Sequence, residues 1–203
     1  MFDLPRSLGL ALAFAGLLAV PVLAQETAPA TPPAEAPADA TGLSMGEAAS
    51  QAPEPYVKST HGDWQLRCVR AKDGSDPCEL YQLLKDAKGN SVAEITMVAL
   101  PDGQEAQAGA TVIVPLETLL PKQLMLAIDG AEAKHYPFTF CAVVGCFARI
   151  GFTADEVGAM KKGAKAVVSV VPIVAPDQVV SVDVSLKGFT EAFDAVKAER
   201  PKP

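Results

Sequence analysis

GDWQLRCVR, residues 62–70, decides how the rest of the chain is read. Trp64, Leu66 and Cys68 alternate with Gln65, Arg67 and Val69, and a period of two sets the heavier apolar side chains on one face. This is a half-buried β-strand with Trp64 in the core. Asp73-Gly74 and Asp76-Pro77 then turn the chain. Cys78 opens CELYQLLKD, a second strand closed by Lys88-Gly89-Asn90, and SVAEITMVAL, residues 91–100, is a third. Short strands separated by turn signals predict an antiparallel meander.

The same reading extends downstream. PDGQEAQAGA (101–110) is a polar loop, and TVIVPLETLL (111–120) carries Pro115, which suits a strand end or edge. Residues 123–128 form a strand ended by Asp129-Gly130. After CAVVGC (141–146), FARIGF turns Phe147 and Arg149 opposite to Ala148 and Ile150. Thr153 and Glu156 make a capping-box pattern for a short helix that Gly163 stops. AKAVVSVVPIV (164–174) and QVVSVDVSL (178–186) read as valine-rich strands. GFTEAFDAVKA (188–198) reads as a short helix capped by Thr190, with Phe189, Phe193 and Val196 on one face. Seven to nine strands, two minor helices and no strand-helix-strand crossover predict an all-β domain, a sandwich ahead of a small barrel.

The N-terminus has a different character. Arg6 precedes LGLALAFAGLLAVPVLA (8–24), an apolar run ending in small residues, and no basic stop-transfer cluster follows. Residues 1–24 are therefore expected to be a signal peptide, with no integral span left after its removal. The residue after it is Gln25, not the cysteine of a lipoprotein. Residues 25–55 are rich in Pro and Ala and carry five acids and no base, too little apolar surface to offset ordering. They are expected to be a disordered acidic tether, with residues 56–203 as a single domain. The formal charge of the 203-residue chain is -7. Six of its 24 acids and one of its 17 bases precede residue 56, which leaves the domain near -2. That balance argues against nucleic acid as a partner.

Four cysteines in an exported chain suit disulfides, and four allow three connectivities. The local set, Cys68 with Cys78 and Cys141 with Cys146, is the expectation. CAVVGC lacks the two-residue spacing and helical context of a redox pair, and neither pair has the usual spacing of zinc ligands. No metal or cofactor is expected. His61 and His135 lie in no catalytic pattern, and Asp73, Asp76 and Glu79 read as parts of a solvated turn. Lys161, Lys162 and Lys165 read as solvated faces of strands and turns, and the sharper alternative is a small basic patch that meets acidic head groups or a partner.

GDWQLRC, PCELYQLL, FTFCAVVGCFARIGF and SVDVSLKGFTEAFDAV, in that order, resemble the invasion-associated locus B family of bacterial exported proteins. The resemblance runs from about Gly62 to Val196. It implies an immunoglobulin-like β-sandwich and a place in the periplasm or at the outer membrane of a Gram-negative bacterium. It supplies no catalytic residue. Trp64, the four cysteines, Gly188 and Phe189 match as a structural signature. The expected function is a non-enzymatic envelope module that binds another envelope protein or surface component, with peripheral membrane contact as a further expectation. The rivals are a surface-exposed adhesion or invasion factor, and a small-ligand-binding protein or enzyme whose site forms only in three dimensions.

Overall fold

In the computed structural model, which describes residues 54–200, the chain enters through β1 (Pro55–His61) and β2 (Trp64–Val69). It continues through β3 (Cys78–Lys85), β4 (Ser91–Ala99) and β5 (Ala108–Val114). A 3-10 turn at Leu120–Lys122 leads to β6 (Leu124–Ile128), β7 (Lys134–Tyr136), β8 (Phe138–Ala142) and β9 (Gly145–Phe152). Helix α1 (Ala154–Lys162), β10 (Lys165–Val170), β11 (Val180–Ser185) and helix α2 (Phe189–Ala198) complete the fold. Every strand pairing is antiparallel. The strands form a seven-stranded sheet, β1-β2-β3-β4-β5-β9-β8, and a four-stranded sheet, β11-β10-β6-β7. The all-β fold with two helices and two local disulfides is therefore present. The expected signal peptide and nearly all of the expected tether lie outside the described residues.

Alternation does on β2 what the sequence predicts: Trp64, Leu66 and Cys68 are buried, and the residues between them are partly exposed. The same inward phase continues in Leu80, Ile95, Val112, Ala148 and Phe152. Against this face lie Leu124, Val168 and Val184 of the smaller sheet, with Val157 and Met160 of α1 and Phe189, Ala192, Phe193 and Val196 of α2. One apolar core results, a sheet covered partly by a sheet and partly by helices. Trp64 is fully buried and meets Phe189 edge-on at 5.4 Å between ring centroids.

Gly188 explains how α2 reaches that core. Its φ is +80°, and a Cβ there would lie 2.3 Å from the carbonyl oxygen of His61. Gly62 faces it with φ +58° and the same 2.3 Å clearance to the carbonyl oxygen of Lys187. The β1–β2 turn and the start of α2 thus cross backbone to backbone, which residues bearing a Cβ cannot do.

Several local expectations are corrected. Strands β1, β7 and β8 lie in segments without a clear strand pattern in the sequence, and eleven strands, not seven to nine, are present among the described residues. Strand β5 begins at Ala108, inside the segment read as a polar loop. Thr190 does not cap α2: the cap position is Gly188, and the Thr190 hydroxyl donates to the Lys161 carbonyl at 3.1 Å, tying α2 to α1. The capping box of α1 is present, with the Thr153 hydroxyl accepting from the Glu156 N–H and the Glu156 carboxylate accepting from the Thr153 N–H.

Candidate functional site

The register of β10 and β11 determines which backbone groups are free. Val180, Val182 and Val184 oppose Val170, Val168 and Ala166, while Ser181, Asp183 and Ser185 oppose Ser169, Val167 and Lys165. Ser185 turns its N–H and C=O away from β10, because both meet the side chain of Gln82 from the other sheet, at 2.8 and 3.0 Å. The indole N–H of Trp64 also donates to the Ser185 carbonyl at 2.8 Å. Backbone groups alternate along a strand, so Ser181 and Asp183 turn theirs the same way. Among the described residues they have no such cover: there β11 is an edge strand whose Ser185 end is closed by Gln82 and Trp64 and whose other end is open.

Two concavities flank this open edge. A cleft of about 200 Å³ lies between the sheets, walled by Val168, Val170, Val180 and Val182 on one side and Val92, Ala93 and Val114 on the other. A shallower groove of about 580 Å³ runs past Asp183 and Ser185 to Asp63, Gln65, Arg67, Tyr81 and Lys85. The first is mainly apolar, Glu117 and Thr118 being the polar residues of its lining, and the second is mixed in charge. An extended peptide laid beside β11 would alternate its side chains between the inner and outer faces of the small sheet, and the inner ones would meet the apolar cleft.

The polar residues of the larger sheet's outer face are mutually engaged. The Arg67 guanidinium stacks 3.2 Å from the centroid of the Tyr81 ring and donates twice to the Gln65 side-chain carbonyl, while the Tyr81 hydroxyl donates to Glu94 at 3.0 Å. Burial and the Glu94 carboxylate push the Tyr81 hydroxyl above its usual pKa. Burial likewise raises Glu79, an effect Arg67 opposes and Glu94 reinforces. These groups form a cross-strand ladder in which each charge has a neighbour.

The cysteines form two bridges, Cys68–Cys78 and Cys141–Cys146, and there is no free thiol among the described residues. Each joins directly opposed residues of neighbouring strands, with Cα atoms 4.0 Å apart. Cys78 lies at the end of the large sheet that contains Ala99, Ala108 and Phe152, and Cys146 lies opposite Val114 at the other end. Six residues of strand separate those ends, about 20 Å, so the four sulfurs do not gather around one ion. CAVVGC is a hairpin tip held shut by its bridge.

The other predicted residues are scattered. Among the described residues no group of three or more His, Cys, Asp or Glu is placed to hold a metal. Asp73 and Asp76 serve their own turn, accepting from Ser75 and from Ala71 and Tyr56. His61 contacts Ser59 at 2.9 Å, and His135 pairs with Met125 in the small sheet. Lys161 and Lys165 are each matched by an acid, Asp194 at 2.6 Å and Asp183 at 2.9 Å, and Lys162 is exposed. Gln82 and the β11 edge were missed by sequence reading. The one available signal was a polar Gln on the inward phase between Leu80 and Leu84.

Comparison with known proteins gives the chain its relatives. The family model described as Invasion associated locus B (IalB) protein matches residues 64–197, from Trp64 through both bridges to the last turn of α2. The chain belongs to the invasion associated locus B family. Two invasion protein B homologs of Brucella abortus, from strains 2308 and 9-941, are each 26% identical to it over 158 residues, 78% of this chain and 89% of theirs. The crystal structure of invasion associated protein B from Bartonella henselae superposes with a TM-score of 0.59 at 22% identity, covering 69% of this chain and 95% of that one. These names describe invasion and none names a reaction. Among the described residues of this family member no helix is long and apolar enough to cross a membrane.

Proposed function

We propose that this member of the invasion associated locus B family is an exported, non-enzymatic module of the Gram-negative envelope, in the periplasm or at the outer membrane. It takes up an extended segment of another polypeptide as an added strand beside β11. The observation that carries this reading is the half-closed edge: Gln82 and Trp64 seal Ser185, and Ser181 and Asp183 remain open beside a valine-lined cleft. Main-chain pairing supplies affinity in this mode, and the cleft selects an aliphatic side chain at one alternate position. The apolar run of residues 1–24 supports export.

A peptide array of extended segments screened against the purified mature chain tests the proposal. Peptides with aliphatic residues at alternate positions should bind. N-methylation of the peptide amides that face β11, or Ser181→Pro in the protein, should weaken binding at least tenfold. Equal binding by Ser181→Pro would remove β11 from consideration. The printed names of the Brucella and Bartonella relatives favour a second reading, in which the same module is displayed outside the cell and contributes to invasion. That reading requires cleavage of the domain by protease added to intact cells, and a fully protected domain would overturn it.

A further inference from the structure

The Gln82 side chain does at Ser185 what a peptide unit of a neighbouring strand would do. Its carbonyl accepts from the Ser185 N–H at 2.8 Å, and its amide nitrogen donates to the Ser185 C=O at 3.0 Å. Gln82 is 6% exposed, and displacing it would leave a buried amide unpaired, so the block is permanent. A strand added at Ser181 and Asp183 meets this block at Ser185. Beside the block stands Asp63, whose carboxylate accepts from the Ser185 hydroxyl at 2.7 Å. The Asp63 N–H donates to the Lys187 carbonyl at 3.1 Å, which holds the residue from a second side while its side chain lines the open groove. Asp183, which also lines the groove, is matched by Lys165, whereas among the described residues no base pairs with Asp63. The bases of the groove are engaged or remote: Arg67 stacks on Tyr81 and bonds Gln65, and Lys85 lies three residues beyond Gln82 along β3, about 10 Å away.

On the reading that β11 takes up an added strand, we propose that this strand is the free amino terminus of another exported polypeptide, with its α-ammonium group facing Asp63. A chain end needs no path past Gln82. A positive end meets the unmatched carboxylate, where a carboxyl terminus would meet like charge. Signal-peptide removal leaves such an end on exported polypeptides. The strand then runs from the Ser185 end toward Val180, antiparallel to β11. Its first residue lies opposite Asp183, with the α-ammonium donating to the Asp183 carbonyl, and its third lies opposite Ser181. The second and fourth share the inner face with Val182 and Val180, which directs them to the valine-lined cleft. The recognised ligand is thus a free amino end with aliphatic residues at its second and fourth positions, a narrower class than an extended segment in general.

Isothermal titration calorimetry of the mature chain with synthetic octapeptide amides is the test. The peptides alternate Thr with Val in both phases, and each is made with a free α-amine, as the N-acetyl form, and as the des-amino analogue, which keeps the size and lacks the charge. The Thr-first peptide with a free amine should bind at least fivefold tighter than its acetyl and des-amino forms, and than the Val-first peptide. Asp63→Asn keeps an oxygen for the Ser185 hydroxyl. It should abolish the preference for the free amine and leave the affinity of the acetyl form unchanged, with near-ultraviolet circular dichroism checking that the variant is folded. Equal binding by all three forms, still lost in Ser181→Pro, overturns the amino-terminal assignment and leaves strand addition at β11 standing. Tighter binding by an N-acetylated peptide with a free carboxylate would make Lys85 the anchor and overturn it equally. Binding by none of the peptides overturns strand addition and the amino-terminal assignment together.

Discussion

Gly188 and Glu156 show how much of this fold rests on single side chains or their absence. At Gly188 an alanine would have both a left-handed φ and a methyl group inside the contact distance of the His61 carbonyl. Gly188→Ala should therefore destabilise the domain by about 2–4 kcal/mol in a denaturant titration. Burial pushes the Glu156 carboxyl up, but the Lys134 ammonium at 2.7 Å and the Thr153 N–H and hydroxyl outweigh it and hold its pKa below the ordinary value. A depressed carboxyl stabilises the fold above its unfolded pKa and loses that contribution as pH falls through the folded one. Glu156→Gln keeps the cap and removes the charge. It should lower stability by about 0.5–1 kcal/mol at pH 7, and its denaturation midpoint should converge with wild type as pH falls below the ordinary glutamate pKa of about 4.3 and through the depressed folded one. Gln82 was legible only as an anomaly, a polar residue on the apolar phase of β3, because its partner is more than a hundred residues away in sequence.

Among the elements, β11 separates the two uses of a strand edge. Ser181 turns its N–H to the open side, so Ser181→Pro should leave thermal stability within about 1 kcal/mol of wild type. Val182 pairs with Val168, and Val182→Pro removes a ladder bond and should cost about 3 kcal/mol or more. A comparison of melting curves for the two variants checks the register; equal losses would refute it. Strands β2, β3, β4 and β9 were legible because one face is buried and the other exposed, which writes a period of two into the sequence. Strand β1 was not: PYVKSTH has an irregular pattern of exposure and no run of apolar side chains. It is held by main-chain pairing to β2, and hydrogen bonds of that kind leave no trace in residue type.

For the whole molecule, α2 is the closing piece. Phe189, Ala192, Phe193 and Val196 fill the part of the large sheet that the small sheet leaves uncovered, and Lys197 and Arg200 hold Asp102 from the far end. A chain ending at Leu186 should lose cooperative unfolding and bind anilinonaphthalene sulfonate, since Trp64 and its neighbours would face water. Retention of a sharp melting transition would show the two sheets to be sufficient. Residue order alone carried the all-β class and the burial of Trp64 and favoured the local cysteine pairing, because alternation, turn chemistry and short spacing are local properties. The packed structure decided the split into seven and four strands and the sealing of Ser185 by Gln82 and Trp64. Each of those depends on residues far apart in the chain, and such proximity is created by the packing of one sheet on the other.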